Sequence, residues 1–86
     1  MGLDAVDLVM EIESEFHIEI PNKVAVKIRR VGEMQDYIVQ ALRLRGETPD
    51  EERVWERLTA VVVRRLGVRP DRVTRSAEFV KDLHLD

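Results

Sequence analysis

Apolar residues recur at helical spacing through most of this chain, and glycine and proline interrupt them at only a few points. That combination restricts the fold to a small set of packed helices. The clearest interruption is Gly46-Glu47-Thr48-Pro49-Asp50-Glu51. Glycine takes the left-handed conformation that ends a helix at little cost. Thr48 followed by Pro49 and Glu51 is a start signal: a cap, a residue suited to the first helical position, and the acid of a capping box. Stop and start are so close that the connection is a tight helical hairpin. Before it, Met34, Ile38, Ala41 and Leu42 form a stripe, with Val31 and Tyr37 beside it, which predicts a helix over 31–45. After it, Val54, Leu58, Val61, Val62 and Leu66 predict a helix over 49–66, ended by Gly67. The triplet Val61-Val62-Val63 has strand propensity, but helical periodicity on both sides favours the helix.

Ala5, Leu8, Val9, Ile12 and Phe16 fall on one side of a helix over 3–16. Asp7 and Ser14 lie opposite, flanked by Asp4, Glu11 and Glu13. Asp4 and Asp7 suit a first turn, where carboxylates meet the positive end of the helix dipole. Leu3, Val6 and Met10 fall on or beside the acidic face. They are either a contact surface or the scattered exposed apolar residues of any soluble protein, and spacing alone does not separate the two. Pro21 fits the first turn of a short helix over 21–28. Residues 68–86 are less regular, with Val73, Phe79, Val80, Leu83 and Leu85 expected to anchor them to the core.

Composition narrows the function classes. The 86 residues make one small domain with a mainly aliphatic core, since the aromatics are only Phe16, Tyr37, Trp55 and Phe79. With no cysteine, disulfides, thiolate metal sites and cysteine nucleophiles are excluded. No apolar run approaches a membrane span, and the acidic N-terminus is unlike a signal peptide. A cytoplasmic protein is therefore expected, with no membrane association. The net charge of −3 is unevenly laid out: Met1 to Asn22 holds six carboxylates and neither Lys nor Arg. Such a block favours a partner with a basic patch, or is simply a solvated face. Nucleic acid is not an expected partner of a chain with an acidic total and no basic stripe. Ser14 and Ser76 have no His and Asp neighbours in a triad pattern, His17 and His84 lack zinc-ligand spacing, and the glycines form no phosphate loop. No catalytic residue and no metal ligand is assigned, and an enzyme is not expected.

Two blocks carry a resemblance. From Leu3 to Ile38 the chain has Leu3-Asp4, an acidic helix ending in Glu13-Ser14-Glu15-Phe16, the Ile20-Pro21 turn, Val31 and Asp36-Tyr37-Ile38. From Arg57 to Asp86 it has Leu66-Gly67-Val68, then Ala77, Phe79, Leu83 and Asp86. The first block resembles the second half of an acyl carrier protein, and the second resembles that family's first half. The order is reversed, as in a circular permutation broken at the serine that carries phosphopantetheine. Residues 1–45 resemble the C-terminal half, 57–86 the N-terminal half, and 46–56 are a joining hairpin and helix start. Asp86 and Leu3 would flank the attachment point, and no serine stands between them. The Met1-Gly2 start looks like an introduced initiation sequence. An engineered permutant is therefore the expected origin, with a natural permuted paralogue or an excised stretch of tandem carriers as alternatives.

The resemblance implies an all-α bundle of three long helices and a short one, with Asp86 and Leu3 close in space. It implies a carrier-type domain of fatty-acid or polyketide-type acyl metabolism, without its cofactor in this form and so inactive as a carrier. Leu3, Asp4, Asp7, Met10, Glu11 and Glu13 would dock on basic patches of acyl-processing enzymes. Val6, Val9, Ile12, Ile28 and Tyr37 would line the acyl pocket, although as plain core residues they need no such role. A monomer is expected, and a swapped dimer would form if the two long helices fused through the hairpin. The alternative function is a scaffold module that uses the same acidic face and never carried a cofactor.

Overall fold

A computed structural model describes residues 3–85. Four α-helices follow one another: α1 (Leu3–Phe16), α2 (Asn22–Ala25), α3 (Val31–Leu44) and α4 (Glu51–Leu66). A 3₁₀ turn, Pro70–Arg72, leads into an irregular strap, residues 73–85. Among the described residues there is no strand, only an isolated bridge between Arg30 and Glu78. The all-α bundle expected from the sequence is present, and Val61–Val63 are helical.

Helix α4 is the centre of the bundle and packs against both α1 and α3. Its Val54, Leu58, Val61 and Val62 are buried, and meet Leu8, Ile12 and Phe16 of α1 and Val31, Met34, Ile38 and Leu42 of α3 in one cluster. The direction of α1 relative to α4 is set by their ion pairs: Glu15 meets Arg57, and the earlier Glu11 meets the later Arg64 and Arg65. The two helices are therefore antiparallel. Arg57 also lies 4.5 Å over the ring of Phe16, which adds a cation–π contact at the end of the seam.

The helix ends explain where the chain turns. Gly46 at φ 93° closes α3 in a Schellman arrangement, with Gly46 N–H on the Arg43 carbonyl and Glu47 N–H on that of Leu42. Helix α4 starts later than its sequence signal indicates. Asp50, not Thr48, is the cap, and its Oδ1 accepts from the N–H groups of Glu52 and Arg53. A carboxylate at that position satisfies two free donors and meets the dipole, so Thr48 and Pro49 stay in the connection. The short helix is also corrected. It covers Asn22–Ala25 rather than 21–28, with Pro21 outside it as the cap residue and the chain turning away after Val26. Helix α1 ends at His17 in the left-handed region (φ 55°), a conformation that histidine tolerates better than most residues. The Arg45 guanidinium holds that end by donating to the carbonyls of His17 and Phe16.

The strap is tied to the start of α3. Val31 N–H donates to Ala77, Gly32 N–H to Arg75, and Phe79 N–H to Arg29. Val73, Ala77, Phe79 and Leu83 are buried beneath it, while Leu85 is half-buried. Val80, expected as an anchor, is instead 68% exposed. Irregular backbone has no fixed period, so alternate apolar residues of the strap do not share a face.

Glu33 ties down the chain just ahead of α3. Its Oε1 accepts from the backbone N–H groups of Arg29 and Arg30, satisfying donors ahead of α3. The Arg30 hydrogen bond first, then that of Arg29, draws its carboxyl below the ordinary value of 4.5. A folded-state pKa below the unfolded one adds stability above the unfolded value, and that stability is lost as pH falls through the folded value. Urea midpoints measured from pH 7 downward should therefore fall as Glu33 is protonated. Glu33→Gln, which keeps an acceptor, should flatten that part of the profile. An unchanged profile in the variant would remove Glu33 from the acid response.

Candidate functional site: the acidic helix and the cavity beside it

The periodicity of α1 divides it cleanly. Ala5, Leu8, Ile12 and Phe16 face the core, and Asp4, Val6, Asp7, Met10 and Ser14 face solvent. Met10 is 60% exposed and Val6 41%, so two apolar side chains stand among carboxylates on one open face. The acids of this helix do not all have the same freedom. Glu11 accepts from Arg65 at 2.9 Å and Arg64 at 3.4 Å. Its carboxyl is held below the usual range, foremost by the Arg65 hydrogen bond. Glu13 Oε2 accepts from the Ile20 N–H at 2.7 Å and so pins the turn before Pro21. Glu15 is bound to Arg57. Asp4 and Asp7 make no ion pair among the described residues and are the open negative charges of the face. The backbone of Leu3 starts α1, but its side chain, like Asp86, lies outside the described residues, as does the expected closeness of Asp86 and Leu3.

Beside α1 lies a cavity of about 430 Å³. Its walls come from four parts of the chain: α1 (Ala5, Leu8, Val9), α2 and the residues after it (Ala25, Val26, Ile28, Arg29), Met34 of α3, and the strap. Phe79, Val80 and Leu85 are its strap wall, and the charged residues Glu78 and Lys81 of the strap also line it. Of the residues that the resemblance places in a pocket, Val9 and Ile28 line this cavity. Val6 stands on the open face of α1, Ile12 is fully buried in the core, and the Tyr37 hydroxyl donates to the Glu19 carbonyl at 2.9 Å. No local pattern signals that Arg29 and Lys81 line the same cavity, because only the tertiary fold brings their segments to it. Phe79 and Leu85 carried a weaker signal as apolar anchors in an irregular segment.

The other polar candidates are dispersed. Ser14 and Ser76 are exposed, and Ser76 has Thr74 as its hydroxyl neighbour at 3.4 Å. His17 and His84 are exposed, and both stand at positive φ. Among the described residues, no three His, Cys, Asp or Glu side chains are grouped as metal ligands. No described helix is long and apolar enough to cross a membrane.

The arrangement is that of a small helical domain with an acidic helix and an adjoining apolar cavity, and part of its sequence has known counterparts. A segment of 37 residues, 43% of the chain, is 61% identical to an acyl carrier protein of mitochondria from Saccharomyces cerevisiae. Segments of 39 residues, 45% of the chain, are 50% identical to the acyl carrier proteins of Chlorobium phaeobacteroides and Chlorobium phaeovibrioides. These segments cover 30% of the yeast protein and 50% of each Chlorobium protein, so the chain spans half or less of the curated relatives it matches. No family model matches the chain, and no solved structure matches it. Somewhat under half of the chain is thus similar to proteins named as carriers, one mitochondrial and the others bacterial.

Proposed function

We propose that this chain is an acyl-carrier-type domain whose halves are exchanged in order, with the break at the attachment serine, so that it cannot carry a pantetheine arm as it stands. The single observation that carries this is the shared cavity: Ala5, at the start of the acidic helix, and Leu85, at the far end of the chain, line the same space. A permutation broken between these segments requires both to border one site. The partial similarity to acyl carrier proteins supports the same view, since a segment of that length accommodates the block from Leu3 to Ile38. In this reading α4 and the strap are the family's first half, and α1 to α3 its second. Asp86 and Leu3 flank the absent serine. In this reading the domain is of carrier type and not an enzyme, belongs to fatty-acid or related acyl metabolism, and is a monomer in a soluble compartment.

The docking surface is the open face of α1, with Asp4, Asp7, Val6 and Met10 offered to a basic, partly apolar patch on a partner enzyme. Glu11 and Glu13 contribute less, because both already hold the fold together. Carrier chemistry needs a serine hydroxyl on the turn ahead of this helix. Ser14 sits in mid-helix and Ser76 in the strap, so neither replaces it.

Incubation with coenzyme A and a phosphopantetheinyl transferase should add no mass to this chain. A variant joined Asp86-Ser-Leu3 and opened between Gly46 and Glu47, both exposed, should gain one pantetheine arm on the new serine. Mass spectrometry of the two proteins checks this. Labelling of the present chain would end the inert-carrier proposal. A rejoined variant that folds but stays unlabelled with a competent transferase would favour the scaffold alternative.

A further inference from the structure

Two exposed surfaces flank the cavity beside α1, and their charges are opposite. On the α1 side, Val9 lines the cavity. With about 3.6 residues per turn, the helix surface then leads outward from Val9 through Val6 and Met10 to Asp7 and Asp4. These four outer residues are exposed, and the two carboxylates make no ion pair among the described residues. On the other side, Val26 and Val80 line the cavity and are 63% and 68% exposed. Cations follow them in both segments, Lys27 and Arg29 in one and Lys81 in the other. All three are exposed, and among the described residues none makes an ion pair. The Phe79 N–H donates to the Arg29 carbonyl, and a bridge joins Arg30 to Glu78, so the two segments lie side by side. The acids beside them are engaged. Glu78 is 3.9 Å from the Arg30 guanidinium, Asp82 accepts from the Glu78 N–H, and Glu33 accepts from the N–H groups of Arg29 and Arg30. Across this face the order is acid, apolar, cavity, apolar, cation.

We infer that this face pairs reversibly with the same face of a second copy of the chain, about a two-fold axis through the mouth of the cavity. Asp4 and Asp7 of each copy meet the segments of Arg29 and Lys81 on the other, and Val6 and Met10 meet Val26 and Val80. A two-fold contact uses one patch twice, so it requires a patch whose halves complement each other. This patch meets that requirement in charge and in apolar surface. An anionic membrane or a nucleic acid would be drawn to the cations but repelled by Asp4 and Asp7 beside them. A uniformly basic surface would meet the reverse difficulty. The contact is weak, because it offers no aromatic anchor and because the net charge of −3 opposes association at a distance. Its consequence rests on the reading of α1 as the docking surface: the pair covers that face, and the lone chain, which predominates at dilution, leaves it open. Pairing involves neither a serine nor a transferase, so the pantetheine test and this one can fail separately.

Sedimentation equilibrium of the full chain at low salt should show monomer and dimer with a dissociation constant on the order of 100 µM, that of a weak contact. In about 1 M NaCl, where the screening length is about 3 Å, the constant should rise about tenfold. The amides of Val6, Met10, Val26 and Val80 should shift with protein concentration, and those of Leu44 and Thr59 should not. Arg29→Glu/Lys81→Glu and Asp4→Lys/Asp7→Lys, each confirmed as folded by far-UV circular dichroism, should each be monomeric alone. An equal mixture of the two should form a dimer, since each then offers one sign of charge to the opposite sign on the other. Val26→Ser/Val80→Ser, which alters no charge, should weaken pairing of the chain with itself. The inference is overturned if the native chain stays monomeric at millimolar concentration, or if its mass grows past the dimer, as an open head-to-tail contact would give. It is overturned equally if either folded reversal variant still pairs with itself, if their mixture stays monomeric, or if Val26→Ser/Val80→Ser pairs as the native chain does. Concentration-dependent shifts confined to the outer face of α4, at Trp55 and Thr59, would overturn it as well.

Discussion

Leu58→Ala should lower the stability of the domain by about 2–5 kcal/mol, the range for truncating a fully buried leucine. Leu58 is 0% exposed and lies on α4, the helix that packs against both α1 and α3. Removing its side chain leaves a void between the two, and close-packed neighbours collapse into such a void only in part. A small domain has a net stability of only about 5–15 kcal/mol, so the variant should lose a large share of it. Urea denaturation followed by circular dichroism reads this as a lower midpoint with an unchanged slope. Leu44→Ala, at a leucine 79% exposed on α3, is the control and should stay within about 0.5 kcal/mol of the native chain. Equal losses in the two variants would mean that α4 is not the centre of the core.

What the sequence made legible was the part governed by local period. The stripes of α1, α3 and α4 were readable because a helix repeats its faces at fixed spacing, and Ile12, Ile38 and Leu58 are fully buried as that spacing requires. Capping was less legible. Thr48 and Asp50 both have acceptor side chains before an apolar run, and the choice of Asp50 depends on where the connection after Gly46 leaves the chain. The acidic face of α1 was visible as a charge block, but its division into free and bound acids was not. Glu11 is paired across space with Arg64 and Arg65, and Glu13 with the Ile20 N–H, contacts that no helical wheel of α1 contains. The cavity was the least legible feature. Its walls come from four segments, one of them an irregular strap in which Ala77 is buried and Val80 exposed. Gln35 makes the same point. It is a buried polar residue on α3 whose Nε2 donates to the Glu51 carbonyl at 3.0 Å while its Oε1 accepts from Arg75. One partner is the first residue of α4 and the other is in the strap, so only the packed fold brings both to it.

Gly32→Ala should destabilise the domain and loosen the strap, although glycine to alanine in a helix is ordinarily favourable by up to about 1 kcal/mol. Gly32 is buried in the first turn of α3, where the strap crosses it. A Cβ there would stand 2.9 Å from the Arg75 carbonyl oxygen and 3.0 Å from the Arg75 Cβ. The first contact is with backbone, so no side-chain rotation relieves it, and overpacking of this kind costs about 1–3 kcal/mol. Moving residue 75 away also strains the hydrogen bonds from the amides of Gly32 and Val31 to Arg75 and Ala77. It draws Arg75 off Gln35 and Asp36 as well. Set against the propensity gain, the steric term leaves a net loss of up to about 2 kcal/mol. Because the same strap supplies Phe79, Val80 and Leu85 to the cavity, its displacement should also change the shape of the cavity. Hydrogen exchange at the amides of residues 31, 32 and 79 should accelerate more than exchange in the centre of α4, since local opening of the strap precedes global unfolding. A variant more stable than the native chain, with those three amides equally protected, would show that the strap yields to a methyl group without cost and does not clamp the start of α3.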